Sequence, residues 1–194
     1  MLENPLPPQM QARAYLKVLA ELDKSGKLAV VGQGNHDRFG EVAGQDFFDT
    51  FMRELSAPIF TEGGVLNIVT AKATYRLAMN HTFWGKSKIN LTNAAKRLIE
   101  YEGEGNVDIG WVGHTHDSAY EVFTKGGKEL VAVVSGTYKL DDKFGKKWGM
   151  GREGMPGITL MLWQDEKRIE VFKDLERAQE VLLALVHQKA LTSR

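Results

Sequence analysis

Residues 28–37 read Leu-Ala-Val-Val-Gly-Gln-Gly-Asn-His-Asp, a short apolar run that ends in the polar group Gly34-Asn35-His36-Asp37. The apolar residues do not alternate with polar ones, which is typical of a strand that is buried on both faces. In α/β proteins, functional side chains gather where such buried strands end. This stretch therefore predicts a buried strand that carries a polar group to the edge of a sheet.

The same arrangement occurs at two other places in the chain. The apolar run 107–112 is followed by Gly113-His114-Thr115-His116, and the strand-like run 74–80 is followed by His81. Four of the five histidines therefore lie where a predicted strand ends. The fifth, His187, lies in a helical pattern and is not expected to belong with them.

Apolar spacing along the chain predicts an α/β protein. The predicted helices cover residues 9–22, 45–55, 91–101 and 175–191. The predicted strands cover residues 28–31, 65–71, 74–80, 107–112, 119–124, 129–134, 158–163 and 168–172. Helices and strands interleave early and hairpins dominate later, which indicates mixed sheets covered by helices. With 194 residues, the chain is expected to form a single domain over 1–194, with a closing helix within 174–194.

The composition argues against several classes of protein. The net charge is zero, which does not favour a surface dominated by nucleic-acid binding, although a local basic patch is compatible with it. There is no cysteine, so any metal must be bound by histidine, asparagine or carboxylate side chains. The N-terminus lacks the features of a secretory signal, and no apolar run is long enough to span a membrane. We therefore expect a cytoplasmic protein without membrane partners.

The paired histidines indicate a metal site. His114 and His116 are two positions apart, so an extended backbone would present both imidazoles on one side. Two imidazoles together suit a divalent transition metal such as Zn, Mn or Fe, and His81 and Asn35 could complete the set of ligands. Any one of these histidines alone would more often be a surface residue or a hydrogen-bonded core residue. Their occurrence together at three strand ends favours the metal site.

Two further features of the motifs concern backbone geometry and acid–base chemistry. Gly34 and Gly113 would let the backbone turn sharply and approach a bound ion or phosphate closely. His36 directly follows Asn35, so it is positioned to donate a proton to a leaving group. The alternative for the first motif is a plain turn, because Asn-His-Asp also favours turns.

Gly34-Asn35-His36-Asp37, His81 and Gly113-His114-Thr115-His116, in that order, resemble the last three signature motifs of the calcineurin-like metallophosphoesterases. The resemblance covers about residues 9–172, and the segment around Gly136-Thr137-Tyr138 resembles a phage- and prophage-type branch of the family. It implies a sandwich of two facing mixed β-sheets flanked by helices. It also implies hydrolysis of phosphate mono- and diesters with two metal ions, with a phosphodiester of nucleic acid or nucleotide as the favoured substrate.

The resemblance implies a role for each residue of the motifs. Asn35, His81 and His114 would hold one divalent transition metal ion, which could be Mn, Zn or Fe. His116 would belong to the second ion. His36 would protonate the leaving oxygen of the phosphoester and would be the catalytic acid.

The first two motifs of that family, Asp-x-His and Gly-Asp, are missing ahead of residue 28. In the family they supply the bridging aspartate and most of one metal site, and two-metal hydrolysis needs both ions about 3.5–4 Å apart. We therefore expect a sandwich that lacks its N-terminal strands and an enzyme that is incomplete as this chain. The alternatives are a subunit completed by a partner chain that carries the missing motifs, and a non-catalytic remnant that binds one metal ion. A homo-oligomer is also compatible with the sequence.

A basic segment follows the predicted strand 129–134. It contains Lys143, Lys146, Lys147 and Arg152, interleaved with the aromatic residues Tyr138, Phe144 and Trp148. Such a segment could bind a phosphate backbone and stack on bases, so the four basic residues are candidate substrate contacts. The alternative is a solvated loop in which nearby acidic residues offset much of the charge.

The predicted closing helix carries an apolar stripe at helical spacing. The stripe consists of Leu175, Ala178, Leu182, Leu185 and Val186. Core packing explains such a stripe more often than a dimer face does. We therefore expect this helix to bury its apolar side against the rest of the domain.

Overall fold

The computed structural model of the chain describes residues 7–35, 53–102, 106–137 and 157–192. Its helices are α1 (Pro8–Lys24), α2 (Asn93–Glu102) and α3 (Leu175–Thr192). Its strands are β1 (Val31–Gly32), β2 (Ile59–Phe60), β3 (Gly64–Val69), β4 (Thr74–Asn80), β5 (Ile109–Val112), β6 (Ser118–Lys125), β7 (Lys128–Ser135), β8 (Thr159–Leu162) and β9 (Ile169–Phe172). The predicted helix at 45–55 falls outside these described ranges except at its C-terminal end.

The central element is a five-stranded mixed sheet with the strand order β3-β4-β5-β7-β6. Its three inner strands run parallel, and its two outer strands, β3 and β6, pair antiparallel with their neighbours. Asn80 pairs with Val112, and Val112 pairs with Val134, so the three parallel strands end level with one another. The predicted mixed α/β fold is confirmed, and the loops that follow these strands leave from one edge.

One face of the sheet is covered by α2. The helix buries Ala94, Ala95, Leu98 and Ile99, which pack with the inner residues Ala78, Val112, Ala132 and Val134. The close approach needs a glycine in the strand. A Cβ atom on Gly110 would lie 2.4 Å from the carbonyl oxygen of Ala95 and 2.6 Å from Cγ1 of Ile99. A side chain at this position would therefore push the helix away from the sheet.

The opposite face of the sheet is covered by the antiparallel hairpin of β8 and β9. Apolar side chains of the hairpin pack with Leu77, Ile109, Val131 and Val133, which point to this side of the sheet. Helix α3 contacts both strands of the hairpin. The expected pair of facing mixed sheets is therefore present only in part, because the facing sheet in the described residues has two antiparallel strands.

The first helix packs on a separate two-stranded parallel sheet formed by β1 and β2. Leu16 and Leu19 of α1 cluster with Val31 and Leu55. Strand β1 begins three residues later than the predicted strand at 28–31, because backbone pairing extends only over the two residues opposite β2. The apolar run nevertheless leads directly into the Gly34-Asn35 turn.

Helix α3 differs from the expectation of a buried apolar stripe. Ala178 is buried, but Leu175, Leu182 and Val186 are each more than half exposed. Core packing is therefore the wrong explanation for most of the stripe within the described residues. No described helix combines the length and the apolar composition that crossing a membrane requires.

Candidate metal centre

The candidate site is built at the edge where the parallel strands end. His81 directly follows β4, and Gly113 directly follows β5. Because the two strands are in register up to Asn80 and Val112, the next residues lie side by side, and the Gly113 amide donates a hydrogen bond to the His81 carbonyl (3.1 Å). Strand pairing thus fixes the backbone positions of His81 and His114 relative to each other.

Asn35, which follows β1, meets the two histidines at this edge. The Asn35 Oδ1 atom lies 2.7 Å from His81 Nε2 and 3.1 Å from His114 Nδ1. The two imidazole nitrogens are themselves 3.1 Å apart. The rings meet edge to face, with an interplanar angle of 89°. Three atoms from residues 33 to 79 positions apart in the chain thus form one compact triangle.

Hydrogen bonding alone satisfies this triangle poorly. The amide oxygen is only an acceptor, and a neutral imidazole offers one donor and one acceptor nitrogen. If only one of the two ring nitrogens carries a proton, the other nitrogen has a lone pair that faces the lone pairs of the Asn35 oxygen. If both nitrogens carry protons, the two N–H groups face each other instead. A cation at the centre of the triangle would satisfy all three atoms at once.

The spacing of the triangle fits shared coordination of a metal ion. Nitrogen and oxygen ligands bind transition metals at about 2.0–2.2 Å, so two ligands at right angles are roughly 3 Å apart. The three separations in the triangle, 2.7, 3.1 and 3.1 Å, lie close to that value. Imidazole and amide ligands suit Zn, Mn and Fe. Asn35, His81 and His114 could therefore hold one such ion.

The ligand set of the triangle includes an amide and not a third ionisable side chain. Within the described ranges no three His, Asp or Glu side chains lie close enough together to form a metal-binding group. Asn35 is exposed, whereas His81 and His114 are half-buried. The roles of all three residues as ligands stay predictions.

The backbone at His114 and His116 departs from the expected extended conformation. Both residues have left-handed φ angles, 73° and 61°. The Thr115 amide donates to the Gly113 carbonyl (2.9 Å), so His114 is the central residue of a three-residue turn. A γ-turn with φ near about +75° is rare and strained. The expectation that an extended backbone aligns His114 with His116 is therefore wrong.

The glycines of the motifs do not adopt the left-handed backbone that favours glycine. Neither Gly34 nor Gly113 has a left-handed φ angle. The nearest atom to a Cβ placed on Gly113 would be the Ser135 Oγ, at 3.4 Å, which is an ordinary contact. The sharp turn at the end of β5 is made by His114 itself, where the Gly113 amide is bonded to His81 and the Gly113 carbonyl accepts from Thr115.

The remaining predicted site residues divide into two groups. His116 is half-buried and lies two residues beyond His114 in the same loop. The predicted acid His36 and the predicted substrate contacts Lys143, Lys146, Lys147 and Arg152 lie outside the described residues. His187 lies exposed on α3.

Sequence reasoning missed three charged residues near the triangle. Lys86, Lys88 and Asp117 line a pocket that also reaches His114. Asp117 directly follows the paired histidines, and the lysines follow His81 in the loop that leads to α2. Asp117 continues the Gly-His-Thr-His motif and was the one residue that the pattern could have revealed. The lysines carry no local signal that separates them from other surface lysines.

The chain matches no protein-family model, and no curated protein matches it in sequence. The resemblance to calcineurin-like metallophosphoesterases therefore rests on the three motifs. The folded chain adds that Asn35, His81 and His114 lie next to one another.

Proposed function

We propose that this chain is a metal-dependent phosphoester hydrolase of the calcineurin-like metallophosphoesterase type, with a phosphodiester of nucleic acid or nucleotide as the favoured substrate. One observation carries the proposal. Asn35 Oδ1, His81 Nε2 and His114 Nδ1 come together within 3.1 Å of one another at the edge of a parallel sheet. The order of the three motifs along the chain supports the same function.

The proposal gives each residue of the site a task. Asn35, His81 and His114 bind one divalent ion, and His116 contributes to a second. A divalent ion at this position would supply positive charge that polarises a phosphoryl oxygen. The left-handed turn at His114 fixes the direction of its ring, which keeps the ligand atoms close together before the ion binds.

His36 is the proposed proton donor. It directly follows Asn35, a proposed metal ligand, in the sequence. A hydrolysed ester releases an alkoxide that must gain a proton, and an imidazolium is suited to supply it near neutral pH.

The five-stranded sheet and its facing hairpin correspond, in this proposal, to most of a metallophosphoesterase sandwich. The second candidate function is a subunit of a split enzyme that a partner chain completes. Strand β1 favours it, because β1 pairs only with β2 among the described residues and its other edge could accept a strand. A partner strand that ends in Asp-x-His would then bring further ligands to the triangle.

A hydrolysis assay tests the proposed function. The chain is assayed with Mn²⁺ on a chromogenic phosphodiester, alone and joined to a segment that carries Asp-x-His and Gly-Asp. We expect near-background hydrolysis alone and metal-dependent hydrolysis after joining, because the motifs offer one ligand, His116, for the second ion. In the joined form, His114→Ala should abolish activity and His187→Ala should leave it unchanged. A joined form that folds and binds metal but does not hydrolyse the diester would contradict the proposal.

A further inference from the structure

A pocket of about 180 Å³ lies beside the candidate metal centre and is lined in part by His114. Its floor is apolar and consists of Phe83, Leu91, Ala94, Val112 and Val134. Three of these, Ala94, Val112 and Val134, are core residues where α2 meets the ends of β5 and β7. The pocket therefore lies over core residues and borders His114 of the triangle.

The wall of the pocket is a loop that the structure holds in place. The Ser87 hydroxyl accepts hydrogen bonds from the backbone amides of Ile89 (3.2 Å) and Asn90 (3.0 Å). The Asn93 side chain donates to the Gly85 carbonyl (2.6 Å), which ties the loop to α2. The Arg97 guanidinium also stacks over Trp84 at 4.1 Å. These contacts keep the pocket formed without a ligand.

The two lysines of the wall differ in their partners. Lys88 Nζ pairs with Asp117 Oδ2 at 3.0 Å, and the Asp117 side chain is only 15% exposed. Lys86 has no hydrogen bond or ion pair with another described residue, and partial burial lowers the pKa of its amine. The pair of Lys88 with Asp117 is electrically neutral, so among the described residues Lys86 adds one uncompensated positive charge to the wall of the pocket.

We propose that this pocket receives the organic group of the phosphoester, a group the size of one planar ring, while Lys86 binds a phosphate oxygen. The apolar floor suits a ring, and Lys86, which pairs with no described residue, suits an anion next to the ring. An apolar cavity of about 150 Å³ holds a benzene molecule, so 180 Å³ accommodates one ring and not a whole nucleoside. The assignment rests on the proposed function only in placing the phosphate at the triangle.

Binding of two phosphonates to the full chain tests the assignment without hydrolysis. Phenylphosphonate and methylphosphonate carry the same anionic group and differ in the ring. Titration calorimetry in the presence of Zn²⁺ should show phenylphosphonate binding about 10-fold or more tightly, because the ring is buried in the pocket. Equal affinity for the two compounds would overturn the pocket assignment.

Variants separate the contributions of the floor and the lysine. Leu91→Trp fills the pocket and should remove the preference for phenylphosphonate while methylphosphonate binding persists. Lys86→Gln should weaken both phosphonates about equally, by several-fold, because it removes a charge-assisted hydrogen bond. The control is Lys72→Gln, whose lysine is 70% exposed and pairs with Asp165. If Lys86→Gln and Lys72→Gln behave alike, the lysine assignment is wrong.

The outcomes also separate this assignment from the proposed function. A ring preference that depends on Leu91, together with no hydrolysis in the joined form, would retain the pocket and reject the enzyme. Metal-dependent hydrolysis without any ring preference would retain the enzyme and reject the pocket. Should Leu91→Trp fail to fold, the comparison of the two phosphonates in the unaltered chain still decides the matter.

Discussion

At the scale of single residues, His114 combines an unfavourable backbone with the central position in the candidate site. A left-handed φ angle is uncommon outside glycine, asparagine, aspartate and histidine, and strained residues persist only where their surroundings hold them. The hydrogen bond between Gly113 and His81, together with the turn that closes at Thr115, provides that support. The sequence predicts that His114 follows a strand. It does not predict the turn, because the sign of φ is set by contacts with residues far along the chain.

Asp23 is a second residue whose surroundings determine its chemistry. Its carboxylate accepts hydrogen bonds from the Ser56 amide and hydroxyl, both at 2.7 Å, and from the Ala57 amide at 3.0 Å. The Ser56 amide, the Ser56 hydroxyl and the Ala57 amide lower the pKa of Asp23. These bonds join the end of α1 to the segment before β2.

We predict that Asp23→Asn lowers the melting temperature at pH 7 and that the difference disappears in acid. Because the folded-state pKa is lowered, the carboxylate stabilises the fold above its unfolded pKa of about 3.9, and this stabilisation is lost as the pH falls through the folded-state pKa. Thermal unfolding followed by circular dichroism from pH 7 to pH 3 measures the effect. Asp165→Asn, an exposed carboxylate near Lys72, is the matched control. A difference that stays constant over this range of pH would contradict the assignment.

At the scale of elements, the hairpin of β8 and β9 is attached to the central sheet through Tyr75. Tyr75 is fully buried, and its hydroxyl lies 2.7, 2.8 and 3.0 Å from the carbonyl oxygens of Trp163, Glu166 and Arg168. It also accepts a hydrogen bond from the Arg168 amide at 3.1 Å. One side chain of β4 therefore satisfies the polar backbone of the turn that joins the two strands.

We predict that Tyr75→Phe destabilises the protein by about 1–3 kcal/mol, because it leaves buried backbone groups without their hydrogen-bond partner. Chemical denaturation measures the free energy of unfolding. Tyr101→Phe is the control, since Tyr101 is 58% exposed and the change should stay within about 0.5 kcal/mol. Equal effects of the two substitutions would show that the hydroxyl of Tyr75 does not hold the hairpin.

The helices and strands could be predicted where the apolar pattern extended over many residues. The predicted strand 74–80 coincides with β4, and the predicted helix 175–191 differs from α3 by one residue. The predicted bounds of strand β1 were the least accurate, because the extent of this strand depends on its pairing with β2 and not on its own residues. The exposure of the apolar side of α3 was also not predicted. Periodicity identifies the apolar face of a helix, but it does not show which elements pack against that face.

At the scale of the whole molecule, the parallel order of β4, β5 and β7 is what creates the site. It brings the segments after β4 and β5 to one edge, where Asn35 arrives from the β1–β2 sheet. The sequence could predict this convergence, because each motif follows a strand. The pocket beside Lys86 could not be predicted, because its floor is assembled from four separate segments.

The triangle also limits how many ions the chain should hold. It gathers three ligand groups at one point, whereas His116 is the single further ligand that the motifs offer. One ion per chain is therefore the expected stoichiometry. A second ion would need ligands beyond these motifs, such as those of a partner chain.

The most direct test of the central claim is a calorimetric titration of the chain with Zn²⁺, with elemental analysis of the bound metal. We predict about one ion per chain, and a loss of affinity on the order of 10-fold or more in His81→Ala and in Asn35→Ala, because each removes one ligand of the triangle. His187→Ala, on the exposed side of α3, should bind like the unaltered chain. Two tightly held ions, or equal affinity in His81→Ala and His187→Ala, would contradict the assignment of Asn35, His81 and His114 as a metal centre.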